Sequence, residues 1–152
     1  MADSGIKIAQ APKDAKVGLF PASFIIANQA VGSPAFLTHL LVNTPQELVN
    51  GIGHITQATN PPLNLNTQLQ GTYTYMATMS SVNILVVLTG YPVANLPPNG
   101  GVGPVLMPNV QLRMVLSQDW KTGTANYKYV DNSGQWKEMD NVPVKLLNSP
   151  IE

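Results

Sequence analysis

The sequence predicts an all-β domain: a single antiparallel β-sandwich of about eight strands, with a flattened barrel as the alternative. Short segments rich in Val, Ile, Thr, Tyr and Phe recur along the chain. Clusters of Gly, Pro and Asn separate them, and no segment sustains an apolar repeat of 3.6 residues. At 152 residues the chain is about one ordinary domain, long enough to bury a sizeable core without covalent staples.

Taken in order, residues 1–16 read as a flexible N-terminal segment, 17–147 as the β domain and 148–152 as a tail. The strands are expected at 17–27, 36–43, 47–57, 69–79, 82–90, 109–117, 123–130 and 135–145. The first two are divided by the turn signal "GSP" at 32–34. Thr44, Pro45 and Glu47 also fit a helix start that Gly51 would stop, so 44–51 allows a short helical turn in place of a tight strand connection. After "ATNPP" at 58–62, the "NPPLNLN" run reads as a proline-stiffened loop anchored by Leu63 and Leu65. In 72–79, Tyr73, Tyr75, Ala77 and Met79 oppose Thr72, Thr74, Met76 and Thr78, giving a strand whose two faces both lack charge. Ser80 and Ser81 mark the next turn. "ILVVL" at 84–88 has no polar side and reads as a central strand covered on both faces.

The stretch 91–108 holds five prolines and three glycines and reads as a crossover between two sheets, with a candidate binding loop as its functional alternative. In 111–117, Leu112, Met114 and Leu116 alternate with Gln111, Arg113 and Val115, so one face is buried and the other wet. "DNSG" at 131–134 is a hairpin turn.

Charge is the unusual feature. Charged residues are 11% of the chain, against a usual value of about 25%. Every one except Glu47 precedes Val17 or follows Leu112. The middle of the chain must therefore present amides, hydroxyls and apolar groups. A formal net charge of zero gives no general attraction to phosphate backbones, so no nucleic-acid partner is expected. The absence of cysteine excludes disulfides, thiolate metal sites and a Cys nucleophile. No secretion signal is expected at the N-terminus, because no basic region leads into an apolar run. No apolar run approaches the roughly 20 residues of a transmembrane helix. The compartment is left open, between cytoplasmic and exported by a signal-independent route.

No catalytic constellation emerges, and an enzyme is not expected. With a turn near Pro45, His39 falls opposite Gly51 and His54 opposite Phe36. That offset of three sends the two imidazoles to opposite faces and argues against a two-His metal site. Asp119, Asp131, Glu138 and Asp140 are the only source of a carboxylate pair near the C-terminal strands, and they read as turn and solvent-edge residues. The glycines of 101–103 are followed by neither a helix start nor Lys-Ser/Thr, so no nucleotide cradle is expected. The neutral oxygens of "NPPLNLN" make a poor calcium site. No cofactor is implied.

Binding through neutral polar and aromatic groups is what remains. The candidate ligand or interface residues are Tyr73, Tyr75, Tyr91, Trp120, Tyr127, Tyr129 and Trp136, with Asn64 and Asn66. Interface centres are poor in Lys, Glu and Asp, so a protein partner or a second copy of the chain is the first expectation. A glycan is the second, because rings beside amides suit sugars. A third is a membrane-active hairpin from 69–91, whose arms have the length of transmembrane β-strands. "GLFPASFIIAN", "ITQATNPPLNLNTQLQGTYTYM" and the segment from "GPVLMPNVQLRMVLSQDW" to "NVPVK" resemble a bacterial family known as domain of unknown function 1842, over about 17–145. The resemblance implies a bacterial source and a single-domain unit, and carries over no activity, cofactor or catalytic residue.

Overall fold

The structure, a computed structural model, describes residues 18–93 and 107–147. It contains eight antiparallel strands: β1 (Leu19–Ala27), β2 (Ala35–Asn43), β3 (Leu48–Gln57), β4 (Leu63–Ala77), β5 (Val82–Pro92), β6 (Val110–Ser117), β7 (Thr122–Val130) and β8 (Trp136–Leu146). Each pairs with the next in sequence, and β8 returns to β1 to close a barrel. The all-β, eight-stranded expectation therefore holds in its barrel form; a single closed sheet stands where a two-sheet sandwich led the sequence reading. The predicted crossover at 91–108 also changes character. β5 and β6 are neighbours in one sheet, so their connection returns beside its own starting strand. Residues 94–106 of that candidate loop, like the predicted N-terminal segment and C-terminal tail, lie outside the described residues.

The barrel closes because period-2 patterning supplies every strand with an apolar inner row. Phe20, Ala22, Phe24 and Ile26 of β1, Leu112, Met114 and Leu116 of β6, and Tyr127 and Tyr129 of β7 are all buried in one core. Eight strands enclose an interior that side chains fill, and this one is filled. Five inner positions, at Gly51, Gly53, Gly71, Gly90 and Gly123, hold glycine instead. A Cβ at Gly51 would collide with the His39 carbonyl oxygen and one at Gly71 with the Val87 carbonyl oxygen, so each of these two marks a place where neighbouring strands curl close together. A bulge in β8 sets Met139 against Tyr127 and Val142 against Ala125. The Asn141 N–H is donated to the Asn126 side chain at 2.7 Å. The extra residue lets Met139 and Val142, three apart, both face inward.

Two sequence expectations need correction and one open alternative is settled. β4 begins at Leu63, because Leu63, Leu65, Thr67 and Leu69 continue the inner row, and Leu63–Gln68 pairs with β3. The 44–51 ambiguity resolves to a turn at 44–47 followed directly by β3. "ILVVL" is covered on one face only: Ile84, Val86 and Leu88 are buried, whereas Val87 is on the outside of a single-layer wall. The predicted hairpin at 131–134 is present. The Asp131 carboxylate accepts from Ser133 N–H at 2.9 Å, Ser133 hydroxyl at 2.7 Å and Gln135 N–H at 3.0 Å. Those bonds, the Ser133 hydroxyl first, hold the Asp131 carboxyl below its usual range.

An aromatic plug closes one end, where the 118–121 turn folds over the core. The Trp120 ring meets Phe20 edge-on at 5.3 Å and Tyr73 at 5.2 Å, and Tyr73 meets Tyr75 at 5.9 Å. At the other end a polar clamp joins four strands. The buried Thr67 hydroxyl donates to Asn109 Oδ1 at 2.7 Å. Asn109 donates its side-chain amide to Asn66 O at 3.3 Å and its N–H to Gly90 O at 2.8 Å, and its own carbonyl accepts from Val130 N–H at 3.1 Å.

Burial also ties two core phenols to the folded state at high pH. It pushes the Tyr73 phenol up to about 12, with Tyr75 and Glu47 adding to the effect, and raises Tyr127 further. A neutral phenol whose pKa rises on folding contributes stability in full below its unfolded value of 10.0, and that contribution is lost as pH climbs through the folded value. Ionisation of these two rings is therefore expected only above pH 10, together with loss of the strand circular-dichroism signal. Tyrosinate absorbance from both rings with the strand signal intact would contradict this.

Candidate interaction surface

The outward positions divide the barrel into two unlike walls. From β1 to β5 the paired registers stack outer side chains into rows across the strands. One row runs Leu19, Asn43, Leu48, Thr72, Val87; the next Pro21, Leu41, Asn50, Gln70, Thr89; the third Ser23, His39, Ile52, Gln68, Tyr91. A fourth runs Ile25, Leu37, His54, Asn66. None of these residues carries a formal charge. Apolar side chains among them stand in solvent, with Leu19 62%, Ile52 54% and Leu48 42% exposed. The opposite wall, β6 to β8, carries Arg113, Lys128, Glu138 and Asp140 around a groove of about 420 Å³.

This partition has a physical logic. β8 meets β1 through only three register pairs, Phe24 with Leu146, Ile25 with Lys145 and Ile26 with Val144. The first half of β8 therefore has no β1 partner. Lys137, Glu138 and Asp140 lie in that half, where charge discourages pairing with another chain. β2 to β5 are paired along both edges and carry no such guard. The facing stretch Leu19–Ser23 of β1 is uncharged, so at this seam the guard is carried by β8 alone.

The aromatic residues singled out in the sequence do not assemble into one surface. Trp120 and Tyr73 are buried in the end plug, and Tyr127 and Tyr129 are buried in the barrel interior. Their expected role as contact residues is corrected for a simple reason: inner positions of a small barrel demand volume, and these rings supply it. Tyr75 lies at the plug's rim, Tyr91 is half-buried beside Gln68 on the neutral wall, and Trp136 is exposed at the start of β8. Asn64 and Asn66 face outward on β4, Asn66 accepting from the His54 ring through Oδ1. In the hairpin from 69 to 91 the β4 arm directs Gln70, Thr72 and Thr74 outward, which is not a lipid-facing pattern, while the β5 arm turns Leu85, Val87 and Tyr91 outward. Among the described residues no helix is long and apolar enough to cross a membrane.

The histidines also need correction. His39 pairs with Ile52 and His54 with Leu37, an offset of two that puts both rings on the outer face. The turn at 44–47 moves the register by one residue from the sequence estimate, and one residue flips every side chain to the other face. Leu37, His39, Ile52, His54, Asn66 and Val93 line a shallow depression of about 250 Å³ there. The outer residues Leu41, Leu48, Ile52, His39 and His54 were absent from the sequence candidates. Their signal was the parity of β2 and β3 together with the missing charges.

Residues 17–136 match the family described as Domain of unknown function (DUF1842). The chain belongs to this family. The match in DUF1842 spans β1 to β7 and reaches the first residue of β8, so the neutral wall lies wholly within it. No curated protein matches the chain.

Proposed function

We propose that this DUF1842 domain is a non-enzymatic module that docks proteins, a second copy of itself first, on the neutral wall of β1 to β5. The observation that carries the reading is the uncharged lattice with Leu19, Leu41, Leu48 and Ile52 exposed on it. Five strands about 4.8 Å apart and some nine residues long make a curved wall roughly 20 Å around and 27 Å long, with β2 to β4 at its centre. Roughened by side chains, that is on the scale of the about 800 Å² each partner contributes to a standard interface. Depletion of Lys, Glu and Asp distinguishes interface centres from ordinary surface. A twofold pairing of like walls brings Leu and Ile against Asn, Gln and Thr without burying a charge.

The non-enzymatic part is supported by the scatter of the acids. Asp119 and Asp131 are in turns at opposite ends of the barrel, and Glu138 and Asp140 are on the charged wall. A glycan-binding role has less support, because four of the seven candidate rings are withdrawn from solvent.

Sedimentation velocity over a wide concentration range tests the proposal. The wild-type mass is expected to rise to a dimer or beyond, while Leu41→Lys/Ile52→Lys stays monomeric with an unchanged melting temperature. A wild-type protein that is monomeric throughout would overturn self-association.

A further inference from the structure

We propose that His39 and His54 form a two-imidazole site for a borderline divalent transition-metal ion, of the class of Zn(II), Ni(II) and Cu(II). The two residues stand diagonally across the β2–β3 pair on the outer face. Cβ atoms on such a diagonal are about 7–8 Å apart or somewhat less, within reach of long side chains. Two rings extended from them can converge on one ion at the about 2.0–2.1 Å that imidazole nitrogen requires.

The rings are held in the sense this needs. His39 Nδ1 shares a hydrogen bond of 2.9 Å with Ser23 Oγ on β1, and His54 Nδ1 bonds Asn66 Oδ1 on β4. An amide oxygen only accepts, so His54 Nδ1 carries the proton and Nε2 keeps its lone pair. The Ser23 hydroxyl accommodates the same tautomer of His39. Within an imidazole, Nε2 lies on the opposite side of the ring axis from Nδ1. Each Nδ1 is drawn outward to a flanking strand, so both Nε2 atoms turn toward the shared β2–β3 seam. An Nδ1–H fixed by a neighbouring oxygen, leaving Nε2 as donor, is the usual outer support of a metal-bound histidine.

The surroundings select the ion. Leu37, Ile52 and Val93 supply apolar walls to the depression, and the neutral wall offers no carboxylate. Imidazole nitrogen without carboxylate suits Zn, Ni and Cu rather than Mg or Ca. Among the described residues no group of three or more His, Cys, Asp or Glu forms a metal cage. The two rings therefore leave the remaining coordination positions to water. Both ligands come from one chain, and the site lies on the proposed docking face beside Ile52, so a bound ion and a docked partner would compete for it.

Calorimetric titration of tag-free protein with nickel chloride and with zinc chloride tests it, at concentrations where sedimentation shows the monomer. One ion per chain is expected. His39→Gln and His54→Gln are each expected to weaken binding at least tenfold. Asn66→Ala, which keeps both ligands but frees the His54 ring, is expected to weaken it about 10- to 100-fold. All three positions are on the outer face, so circular-dichroism melts should confirm that every variant is folded. Absence of saturable binding by the wild type, or equal binding by the folded His39→Gln/His54→Gln variant, overturns the proposal.

Discussion

Trp120→Ala is expected to destabilise the barrel by about 3–5 kcal/mol, the usual cost of deleting a buried large aromatic side chain. The ring is 5% exposed and packs edge-on against both Phe20 and Tyr73. Its loss would open the plugged end of the core to water. Trp120 also sits at φ 66°, a left-handed backbone that a bulky residue seldom adopts. The turn holds it there, with the Trp120 N–H donated to Ser117 O at 2.9 Å and the Asp119 carboxylate accepting from Ser117 hydroxyl at 2.6 Å and Lys121 N–H at 3.1 Å. Left-handed strain of about 1–3 kcal/mol is thus offset by aromatic packing. One consequence is an inverted ranking: Trp120→Gly should be at least as stable as Trp120→Ala, although glycine is ordinarily the worse residue in a folded chain. Urea unfolding of the three proteins reads both effects. A Trp120→Ala loss below about 1 kcal/mol would mean that the plug does not hold the end of the barrel closed.

Gly71→Val is expected to abolish the folded state, and Gly71→Ala to cost about 4 kcal/mol or more, in the range reserved for gross steric conflict. The added carbon would meet the Val87 carbonyl oxygen and Leu88 Cα, backbone atoms of a paired strand that cannot move without breaking the β4–β5 register. Gly134 provides the contrast. It has φ 85° with open space around its missing Cβ, so Gly134→Ala should cost only the about 1–2 kcal/mol of a left-handed alanine. Thermal melts of the two alanine variants separate steric from conformational need. Equal losses at both sites would remove the argument that Gly71 lets the barrel curl.

Strand chemistry was plain in the sequence wherever alternation was regular, as in Leu112, Met114 and Leu116, and the Asp131–Gly134 turn was plain from its composition. Closure was not, because the β1–β8 seam joins residues at opposite ends of the domain and local periodicity carries no sign of it. Pro61 and Pro62 predict a loop and so mask the start of β4. The alternation of Leu63, Leu65, Thr67 and Leu69 was already present in the residues that follow. The site was harder than the fold. Rings were favoured as contact residues, yet in a narrow barrel a ring is worth most as inner volume, which is where Trp120, Tyr73, Tyr127 and Tyr129 went. The histidine pair was hidden by a turn one residue different from the one assumed, since parity is the whole content of a strand face. Only the scarcity of charge from Val17 to Leu112, where Glu47 is the single charged residue, pointed at the outer rows of β1 to β5, and it could not say which side of each strand was wet.

Hydroxyl-radical footprinting at low and high protein concentration tests the neutral wall most directly, because it reads side-chain exposure residue by residue. Leu41, Leu48 and Ile52 are expected to lose reactivity together as concentration rises, while Val115 and Trp136, on the charged side of the barrel, keep theirs. Unchanged reactivity at all three leucine and isoleucine positions, or protection centred on Trp136, would contradict the assignment of β1 to β5 as the docking face.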